Sequence, residues 1–437
     1  MTYAETLDFL YTKLPMFSRV GSSAFKKDLT NTIILLEHLE NPHQKFKSIH
    51  VGGTNGKGSV SHMMASVLQT AGYKTGLYTS PHIHDFRERI KINGVLADEF
   101  FVIEFVEKIS GLIDQVKPSF FEITVAMAFD YFAQKKVDIA VIEVGLGGRL
   151  DSTNVIDPVL SVITNIGFDH MNMLGDSLSE IAFEKSGIIK ENTPVVVGER
   201  NAESDEVFLQ AAALHDSDIL FAEDIYATTN YQWKQNHLIV EVQNQLIQNY
   251  HQFKLDLSGI YQIKNVCTVL SAFDVLYDKG FIIKDDIIKE GLANVVTNTG
   301  LTGRWQVIHK EPLIVLEVAH NEDGIQQMLK HLNELTFQNL HIIFGIVKDK
   351  EIRAILQLFP PQAKYYFTQA DIPRALPASE LKSIADNLNL TGEVFTNVNE
   401  ALQNVLSVAG KEDVIIVCGS IFLIAEVDIE KITMSLL

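Results

Sequence analysis

The apolar positions of this chain fall in short β-branched runs that alternate with amphipathic, helix-like segments along most of its length. The clearest runs are FKSIHVGG, KTGLYTS, VDIAVIEVG, PVLSVITNI and TPVVVGE. Runs that are apolar at nearly every position are typical of strands buried on both faces, and their alternation with helices favours parallel pairing. The pattern therefore predicts an α/β protein with a mostly parallel sheet.

One stretch departs from this alternation. Between residues 216 and 258 the sequence includes TTNYQWKQNHLIVEVQNQ, which alternates in the manner of an exposed antiparallel hairpin. Residues 257–280 are then predicted to form one helix, because their apolar spacing is helical and Gly280 is a stop signal.

After Gly300 a second α/β series begins, with strands predicted in PLIVLEVA, LHIIFGIV, AKYYFTQ and DVIIVCGS. The stretch before it, residues 296–301, is polar and contains glycine, as a boundary between domains commonly does. We predict two domains, residues 1–298 and the smaller residues 299–437.

Composition narrows the classes of function. Hydrophobic residues make up 46% of the 437 residues, and the formal net charge is −19. This charge argues against a general binder of nucleic acid or membrane surfaces, because either would need a basic face. Small anions remain suitable ligands, since a few local cations and helix N-termini can hold them.

The cysteines and the most apolar segments point to a cytoplasmic enzyme. Cys267 and Cys418 lie in apolar stretches and are expected to be buried thiols. The stretch MTYAETLDFLYTKL carries acidic residues and lacks the apolar run of a signal peptide. VIIVCGSIFLIAEV is short and interrupted by Gly419 and Ser420, so it is not expected to span a membrane.

Residues 52–59 read GGTNGKGS and lie between a predicted strand and a helix predicted to start near Lys57. This is the context of a phosphate-binding loop, in which glycine N–H groups, the helix N-terminus and the lysine all face an anion. The order differs from a standard P-loop because Gly58 follows the lysine and Ser59 comes one position late. The alternative is a glycine-rich turn that only joins a strand to a helix.

Four other side chains are candidates, and for three of them, Glu143, His170 and Lys185, an ordinary structural role is the alternative. Glu143 ends the strand in VDIAVIEVG, where a carboxylate beside a phosphate loop is an expected magnesium ligand. Ser80 ends another strand, and its hydroxyl can replace the one that the glycine loop lacks. His170 follows the strand in VITNIGFDHMNMLG, although magnesium prefers oxygen ligands. Lys185 lies in an apolar helical segment, where a lysine commonly extends its amine to solvent.

Nine motifs occur in an order that resembles one known family. They are GTNGKGS, TSPHIHDFRERIKING, FFEITVAMAF, EVGLGGRLDSTN, FDHMNMLG, EKSGIIK, TGRWQV, LEVAHN and CGSIFLIAEV. From about residue 15 onward the chain resembles the folylpolyglutamate synthase/dihydrofolate synthase branch of the Mur ligase superfamily. The resemblance implies an α/β fold with a large P-loop-containing N-terminal domain and a smaller Rossmann-like C-terminal domain.

The resemblance also implies a reaction. ATP phosphorylates a carboxylate, and the amino group of L-glutamate then attacks the acyl phosphate. The acceptor is dihydropteroate or the γ-carboxylate of a folate. The implied cofactors are ATP and Mg²⁺ at two sites, and the implied protein is a monomer that binds neither nucleic acid nor membrane.

Site residues follow from the resemblance motif by motif. The implied nucleotide contacts are Thr54, Asn55, Gly56, Lys57, Gly58, Ser59, Asn265, Arg304 and Glu317. The implied metal-binding residues are Ser80 and Glu143 for one magnesium, His170 for the second, and Lys185 as a carbamylated partner. The implied substrate contacts are Phe121 and Asp151 on the pterin side, and His320 and Ser420 near the incoming glutamate. The implied catalytic residues are Lys57, Lys185, His170, Arg304 and His320.

Three segments depart from the family pattern. Glu317 stands where the family has the aspartate of an Asp-x-Ala-His-Asn motif. Thr302 replaces the proline of a Pro-Gly-Arg turn. The segment SSAFKKDLTNTIILLEHL, residues 22–39, keeps only the helical pattern of the family's N-terminal region.

Three other functions remain as alternatives. A ligase acting on peptidoglycan precursors would share the loop, but SPHIHDFRERIKING and FFEITVAMAF argue against it. A GTPase switch or regulatory ATPase would need no acceptor, and the sequence lacks an N-K-x-D guanine motif. A folate-binding protein would need neither the loop nor metals.

Overall fold

The computed structural model describes residues 1–21, 26, 28–235 and 237–435. The segment that departs from the family pattern near the N-terminus includes residues 22–25 and 27, which lie outside the described residues. The chain divides into two compact units. The first comprises Met1–Gly167, Met171–Asp256 and Tyr261–Leu301, and the second comprises Phe168–His170, Leu257–Ile260 and Thr302–Leu437.

The main sheet of the first unit is mostly parallel, as predicted. Its strands are β1 (Lys47–Gly52), β2 (Thr75–Tyr78), β3 (Ile90–Ile92), β4 (Val95–Leu96), β5 (Ile139–Glu143), β6 (Leu160–Ile163), β7 (Val195–Val197) and β8 (Ile219–Phe221). Their order is β4-β3-β2-β5-β1-β6-β7-β8, with antiparallel pairing between β2, β3 and β4 only. Every residue of β5 is buried, which is why its sequence is apolar at nearly every position.

The first unit contains helices before, between and after these strands. They are α1 (Tyr3–Lys13), α2 (Phe17–Val20), α3 (Thr30–His38), α4 (Lys57–Thr70), α5 (Glu99–Val116), α6 (Phe120–Lys135), α7 (Met171–Leu174), α8 (Leu178–Ser186), α9 (Asp205–Leu214), α10 (Ala222–Ile225), α11 (Gln262–Asp278), α12 (Asp285–Ala293) and α13 (Val295–Thr299). Short 3₁₀ turns span Pro42–Gln44, Phe86–Arg89 and Ser152–Val155. Capping boxes at Ser119 and Ser177 start α6 and α8, each with a glutamate three residues later.

The predicted hairpin is confirmed and is part of a larger antiparallel sheet. It consists of β9 (Tyr226–Lys234) and β10 (His237–Asn244), and the sequence did not predict the third strand, β11 (Asn249–Leu255). One face is buried rather than exposed, because Leu238, Val240 and Val242 all turn inward.

The helix predicted over residues 257–280 begins later than expected. α11 starts at Gln262, and Leu257–Ile260 groups with the second unit instead. The backbone N–H of Ile260 donates to Nδ1 of His331 at 3.3 Å, so it is used in a tertiary contact rather than in a helix. Gly280 ends the helix as predicted, with a φ of 89°.

The second unit has its own mostly parallel sheet. Its strands are β12 (Gln306–Lys310), β13 (Leu313–Glu317), β14 (Leu340–Phe344), β15 (Lys364–Phe367), β16 (Gly392–Val394) and β17 (Val414–Cys418), in the order β12-β13-β17-β14-β15-β16. Its helices are α14 (Glu322–Leu332), α15 (Ile352–Gln357), α16 (Ala378–Asp386), α17 (Val398–Val408), α18 (Ile421–Ala425) and α19 (Ile429–Ser435). Among the described strands of this second sheet, the one antiparallel pair is β12 with β13, at one edge of the sheet.

Cys267 and Cys418 are both buried thiols, as predicted. Burial raises the pKa of Cys267 to about 11, so its thiol stays protonated at neutral pH. None of the helices in the described part of the chain has the length and hydropathy that a bilayer span requires.

Two glycines test the packing of the first unit. A Cβ built on Gly291 of α12 would lie 2.6 Å from Cα of Val67 in α4, whereas one built on Gly111 of α5 would meet nothing within 4 Å. We expect Gly291→Ala to destabilise the protein by about 1–3 kcal/mol through overpacking. Gly111→Ala is expected to stabilise it by about 0.5–1 kcal/mol. Urea unfolding of both variants checks the contrast, which an increase in stability for Gly291→Ala would contradict.

Candidate active site

The glycine loop joins β1 to α4, and its backbone takes a shape that a side chain would prevent. Gly53 has a φ of 138° and Gly56 a φ of 83°. A Cβ on Gly53 would lie 1.9 Å from Oγ1 of Thr164. The helix begins at Lys57, as predicted, so the loop ends at a helix N-terminus that attracts anions.

Residues that follow β6 hold this loop from outside. The backbone N–H of Thr54 donates to the carbonyl of Asn165 at 2.9 Å, and that of Asn55 donates to the Asn165 side chain at 2.8 Å. The Thr54 hydroxyl donates to the carbonyl of Gly167 at 3.1 Å, and Thr164 donates to the carbonyl of Asn55. No local sequence signal marks these residues, because the pairing of β1 with β6 is what brings them to the loop.

Two lysines converge on the same loop carbonyl. Lys57 Nζ donates to Gly53 O at 3.1 Å and to Thr54 O at 3.0 Å. Lys185 Nζ, from α8, donates to Gly53 O at 2.8 Å, although its side chain is only 4% exposed. Lys185 is therefore not a lysine that extends to solvent, and the amines of two lysines lie beside the loop.

The helix α11 also reaches the loop. The Asn265 side chain would lie 2.6 Å from a Cβ on Gly56, so it contacts the backbone at the start of α4. Gln262 donates to the Ser59 hydroxyl at 3.1 Å and accepts from Asn265 at 2.7 Å. Gln262 is fully buried, and the sequence did not single it out.

Ser80 and Glu143 lie together, as an oxygen-ligand pair would require. β2 and β5 are neighbours in the sheet, and the Ser80 backbone N–H donates to Oε2 of Glu143 at 3.0 Å. Within the described residues, no group of three or more His, Cys, Asp and Glu side chains converges as a metal site. Magnesium often needs only one or two carboxylates beside phosphate oxygens and water, so this donor set suits it.

Phe121 and Asp151 lie near the turn that follows β5. The ring of Phe121 would be 2.4 Å from a Cβ on Gly145, so glycine is needed for this close approach. The buried carboxylate of Asp151 accepts from the backbone N–H groups of Leu146 at 2.8 Å and Thr153 at 3.0 Å. Burial raises the pKa of Asp151, while these hydrogen bonds oppose that shift. In this structure the carboxylate supports its own loop.

In the second unit, Glu317 holds the turn that carries Arg304. Oε2 of Glu317 accepts from the backbone N–H of Trp305 at 2.9 Å, and the N–H of Val318 donates to Gly303 O at 3.0 Å. The turn therefore lies at the carboxyl end of β13.

His320 belongs to a cluster around Asp169. Nε2 of His320 lies 3.3 Å from Oδ2 of Asp169, Asn321 donates to the same oxygen at 3.2 Å, and Lys350 pairs with the other oxygen. Burial alone would raise the pKa of Asp169, but His170, His320 and Lys350 outweigh it and hold that pKa well below its ordinary value. Asp169, Asn321 and Lys350 were not among the predicted site residues. Asp169 directly precedes His170 and Asn321 directly follows His320, and both histidines were predicted.

His170 adopts the left-handed region with a φ of 51°, and its backbone N–H donates to Oδ1 of Asp169 at 2.8 Å. Burial lowers the pKa of the His170 imidazole to about 3, and the charge of Lys350 acts in the same direction. The ring is therefore neutral at pH 7, which is the state a metal ligand requires.

Ser420 follows β17, and its hydroxyl accepts from the backbone N–H of Phe422 at 3.2 Å. Gly419 N–H donates to the carbonyl of Ala319 at 3.0 Å. The loop after β17 is thereby joined to the one after β13, so Ser420 and His320 follow neighbouring strands at the same edge of the sheet.

The Gly53 position gives a direct test of the loop. We expect Gly53→Ala to weaken ADP binding by about 100-fold, because accommodating the Cβ costs about 3 kcal/mol of loop distortion. Gly72→Ala is the control, since Gly72 also has a positive φ, 91°, but nothing lies within 4 Å of its Cβ. Titration of both variants with ADP measures the difference. Equal affinities would contradict the role assigned to the loop.

Comparison with known proteins identifies the family. The Mur ligase middle domain family matches residues 51–273, and the glutamate ligase domain family of the Mur ligases matches residues 303–421. The dihydrofolate synthase/folylpolyglutamate synthase of Bacillus subtilis is 32% identical to this chain over 97% of the chain and 98% of that protein.

Solved structures agree over nearly the whole chain. The folylpolyglutamate synthase of Thermotoga maritima is 33% identical with a TM-score of 0.80, covering 99% of this chain and 97% of that one. E. coli FolC in complex with DHPP and ADP is 25% identical with a TM-score of 0.85, covering 100% of this chain and 99% of that one. The chain therefore belongs to the dihydrofolate synthase/folylpolyglutamate synthase family of Mur ligases.

Proposed function

We propose that this protein is an ATP-dependent ligase that adds L-glutamate to dihydropteroate, to the γ-carboxylate of reduced folates, or to both. The observation that carries the proposal is the glycine loop, with two lysines on one of its carbonyls and the Ser80–Glu143 pair in the same unit. Membership of the family supports it, as does the relative solved with DHPP and ADP.

The loop residues bind the triphosphate in this proposal. The backbone N–H groups of Gly56–Ser59 face the phosphates at the N-terminus of α4, and Lys57 exchanges its loop carbonyls for phosphate oxygens. Asn265 contacts the nucleotide from α11. The net charge of −19 repels a polyanion, so this local positive field is needed for the triphosphate to bind.

Ser80 and Glu143 would hold one magnesium ion, because their oxygen donors fit it. The ion would supply positive charge beside the phosphates. The Ser80 hydroxyl then supplies the oxygen that a standard P-loop takes from the residue after its lysine. Glu143 is buried, so its charge is desolvated and favours a cation beside it.

A second magnesium would involve His170 and Lys185. An amine is a poor magnesium ligand, so Lys185 fits this role only as a carbamate, which replaces its positive charge with a carboxylate-like group. The family resemblance carries this modification, and the position of Lys185 supports it, because its Nζ lies 2.8 Å from Gly53 O beside the loop.

Four residues of the second unit also have proposed roles. Arg304 offsets the charge that develops on the transferred phosphoryl group. Glu317 contributes by holding the turn that carries Arg304, and it also replaces the nucleotide-contacting aspartate of the family. His320 and Ser420 bind the incoming glutamate, and their shared sheet edge supports a common role.

The acceptor is held by Phe121 and Asp151. The aromatic ring stacks on the pterin, and the carboxylate meets N–H donors of the pterin. We propose that the partners are these small molecules alone, and that the protein acts as a cytoplasmic monomer.

The residues act in two steps. A carboxylate oxygen of the acceptor attacks the γ-phosphorus, and ADP leaves from it. The amino group of L-glutamate then attacks the acyl carbon, phosphate leaves, and the nitrogen gives up a proton to form the amide. Lys57 and Arg304 stabilise negative charge in the first step, and His320 orients the glutamate for the second.

Phosphate release tests the proposal. Purified protein with ATP and magnesium is expected to release phosphate with L-glutamate plus dihydropteroate, with L-glutamate plus tetrahydrofolate, or with both. Omitting either the acceptor or L-glutamate should reduce the rate at least about 10-fold, because the first step needs the acceptor and turnover needs the amine.

The outcomes separate the alternatives. Release with both acceptors indicates a bifunctional ligase, and release with one identifies the specialised activity. Release that is unchanged without acceptor and glutamate would instead indicate a switch or regulatory ATPase. Folate binding without any phosphate release would indicate a binding protein.

A further inference from the structure

The turn that carries Arg304 contains an unusual backbone conformation. Trp305 has a φ of 46°, and Gly303 has a φ of 73°, so left-handed residues stand on both sides of Arg304. For a bulky aromatic residue this region is a genuine outlier, and it persists only where surrounding contacts impose it. Such outliers cluster at functional sites, so the contacts of Trp305 need an explanation.

Several contacts impose this conformation. The backbone N–H of Trp305 donates to Glu317 at 2.9 Å, and the Ser258 hydroxyl lies 3.5 Å from the Trp305 carbonyl oxygen. The indole stacks on the imidazole of His331, with ring centroids 3.7 Å apart and ring planes at 18°. Trp305 is 3% exposed and His331 is 1% exposed, so the stack is closed to solvent.

His331 also contacts the backbone of Ile260. Its Nδ1 accepts from the backbone N–H of Ile260 at 3.3 Å, so this nitrogen carries no proton. Burial lowers the pKa of His331 to about 3, in agreement with a neutral ring at pH 7. His331, a residue of α14, thus contacts both Trp305, which follows Arg304, and Ile260.

We propose that His331 is a positioning residue for Arg304 and that it acts through the stacked Trp305 ring. This inference rests on the proposed role of Arg304 in phosphoryl transfer. Without the stack, Trp305 can relax toward an ordinary backbone conformation, which turns the preceding peptide and moves the base of the Arg304 side chain. A displacement of about 1 Å at a positioned group can reduce turnover by up to about 100-fold.

A simpler interpretation is that His331 only fills the core. Trp305 packs in the same apolar cluster as Met328 and Leu332, so some loss of stability is expected in either case. The two interpretations differ in kinetics. A core role predicts that the effects of changing His331 and Arg304 on kcat are independent, whereas positioning predicts that they are coupled.

A double-mutant cycle distinguishes them. His331→Gln keeps a hydrogen-bonding side chain but removes the ring, and Arg304→Lys keeps the charge but loses the planar fork. We expect His331→Gln to lower kcat of glutamate-dependent phosphate release about tenfold, with KM for ATP changed less than about threefold. In the Arg304→Lys background the same change should lower kcat less than about twofold. Equal effects in both backgrounds, or no effect in either, would overturn the proposal.

Two variants serve as controls. His331→Phe keeps an aromatic ring for the stack but loses the acceptor for Ile260, so it should retain kcat within about threefold. If His331→Phe falls as far as His331→Gln, the stack is not the positioning element and the proposal fails. His309→Gln alters a histidine of β12 that contacts Pro312 rather than the turn, and it should leave kcat unchanged.

A second readout does not depend on catalysis. Trypsin cleaves after Arg304 only when the turn opens, and mass spectrometry identifies that cut. The cut should form at least about fivefold faster in His331→Gln than in wild type or His331→Phe, because loss of the stack allows local opening. If the wild-type protein shows no ligase activity, the proposed function fails, yet this measurement still decides whether His331 holds the turn.

Discussion

The backbone shape of the glycine loop is the constraint on which the site depends. Gly53 can approach Thr164 only because it has no side chain, and this approach lets the residues after β6 hydrogen-bond the loop. These hydrogen bonds fix the shape of the loop backbone. A preorganised set of N–H groups loses little entropy on binding a polyanion, so the energy of the contacts goes into affinity and orientation.

The positions of two lysines follow from the same constraint. Lys57 and the buried Lys185 both donate to the Gly53 carbonyl, which needs the loop backbone in its observed shape. In a chain with a net charge of −19, Lys57 and the N-terminus of α4 create the local positive field that a nucleotide requires, whereas Lys185 acts as a carbamate in the proposed site. In the second unit, a carboxylate holds polar side chains in place, because Asp169 contacts His320, Asn321 and Lys350.

Local sequence signals predicted most of the fold. Most of the buried parallel strands, the start of α4 at Lys57 and the end of α11 before Gly280 follow from periodicity and glycine placement. The start of α11 could not be predicted in this way, because a tertiary hydrogen bond from Ile260 to His331 competes with helix formation. The strand β11 was missed because its sequence, NYHQFKL, is mostly polar, and its pairing with β10 is a tertiary feature that the local pattern does not show.

The candidate site was predictable to a lesser degree. Lys57 and Glu143 carry their own signals, a helix N-terminus and a strand end, whereas Lys185 and Asn265 were found only by family resemblance. Asn165, Gln262 and Lys350 had no local signal, because each acts through a partner far away in the sequence. The role of Glu317, which replaces the family's aspartate, could not be predicted from the motif. The structure shows that its carboxylate accepts from the Trp305 backbone N–H.

The central claim is that the acceptor carboxylate is activated by phosphorylation before glutamate attacks it. The most direct measurement is transfer of ¹⁸O from a carboxylate-labelled acceptor during turnover with ATP and L-glutamate, followed by ³¹P NMR of the released phosphate. The account predicts that each phosphate formed carries one ¹⁸O atom from the acceptor, because the attacking carboxylate oxygen leaves with the phosphoryl group. Phosphate without ¹⁸O, formed while glutamate is ligated, would contradict the acyl-phosphate route.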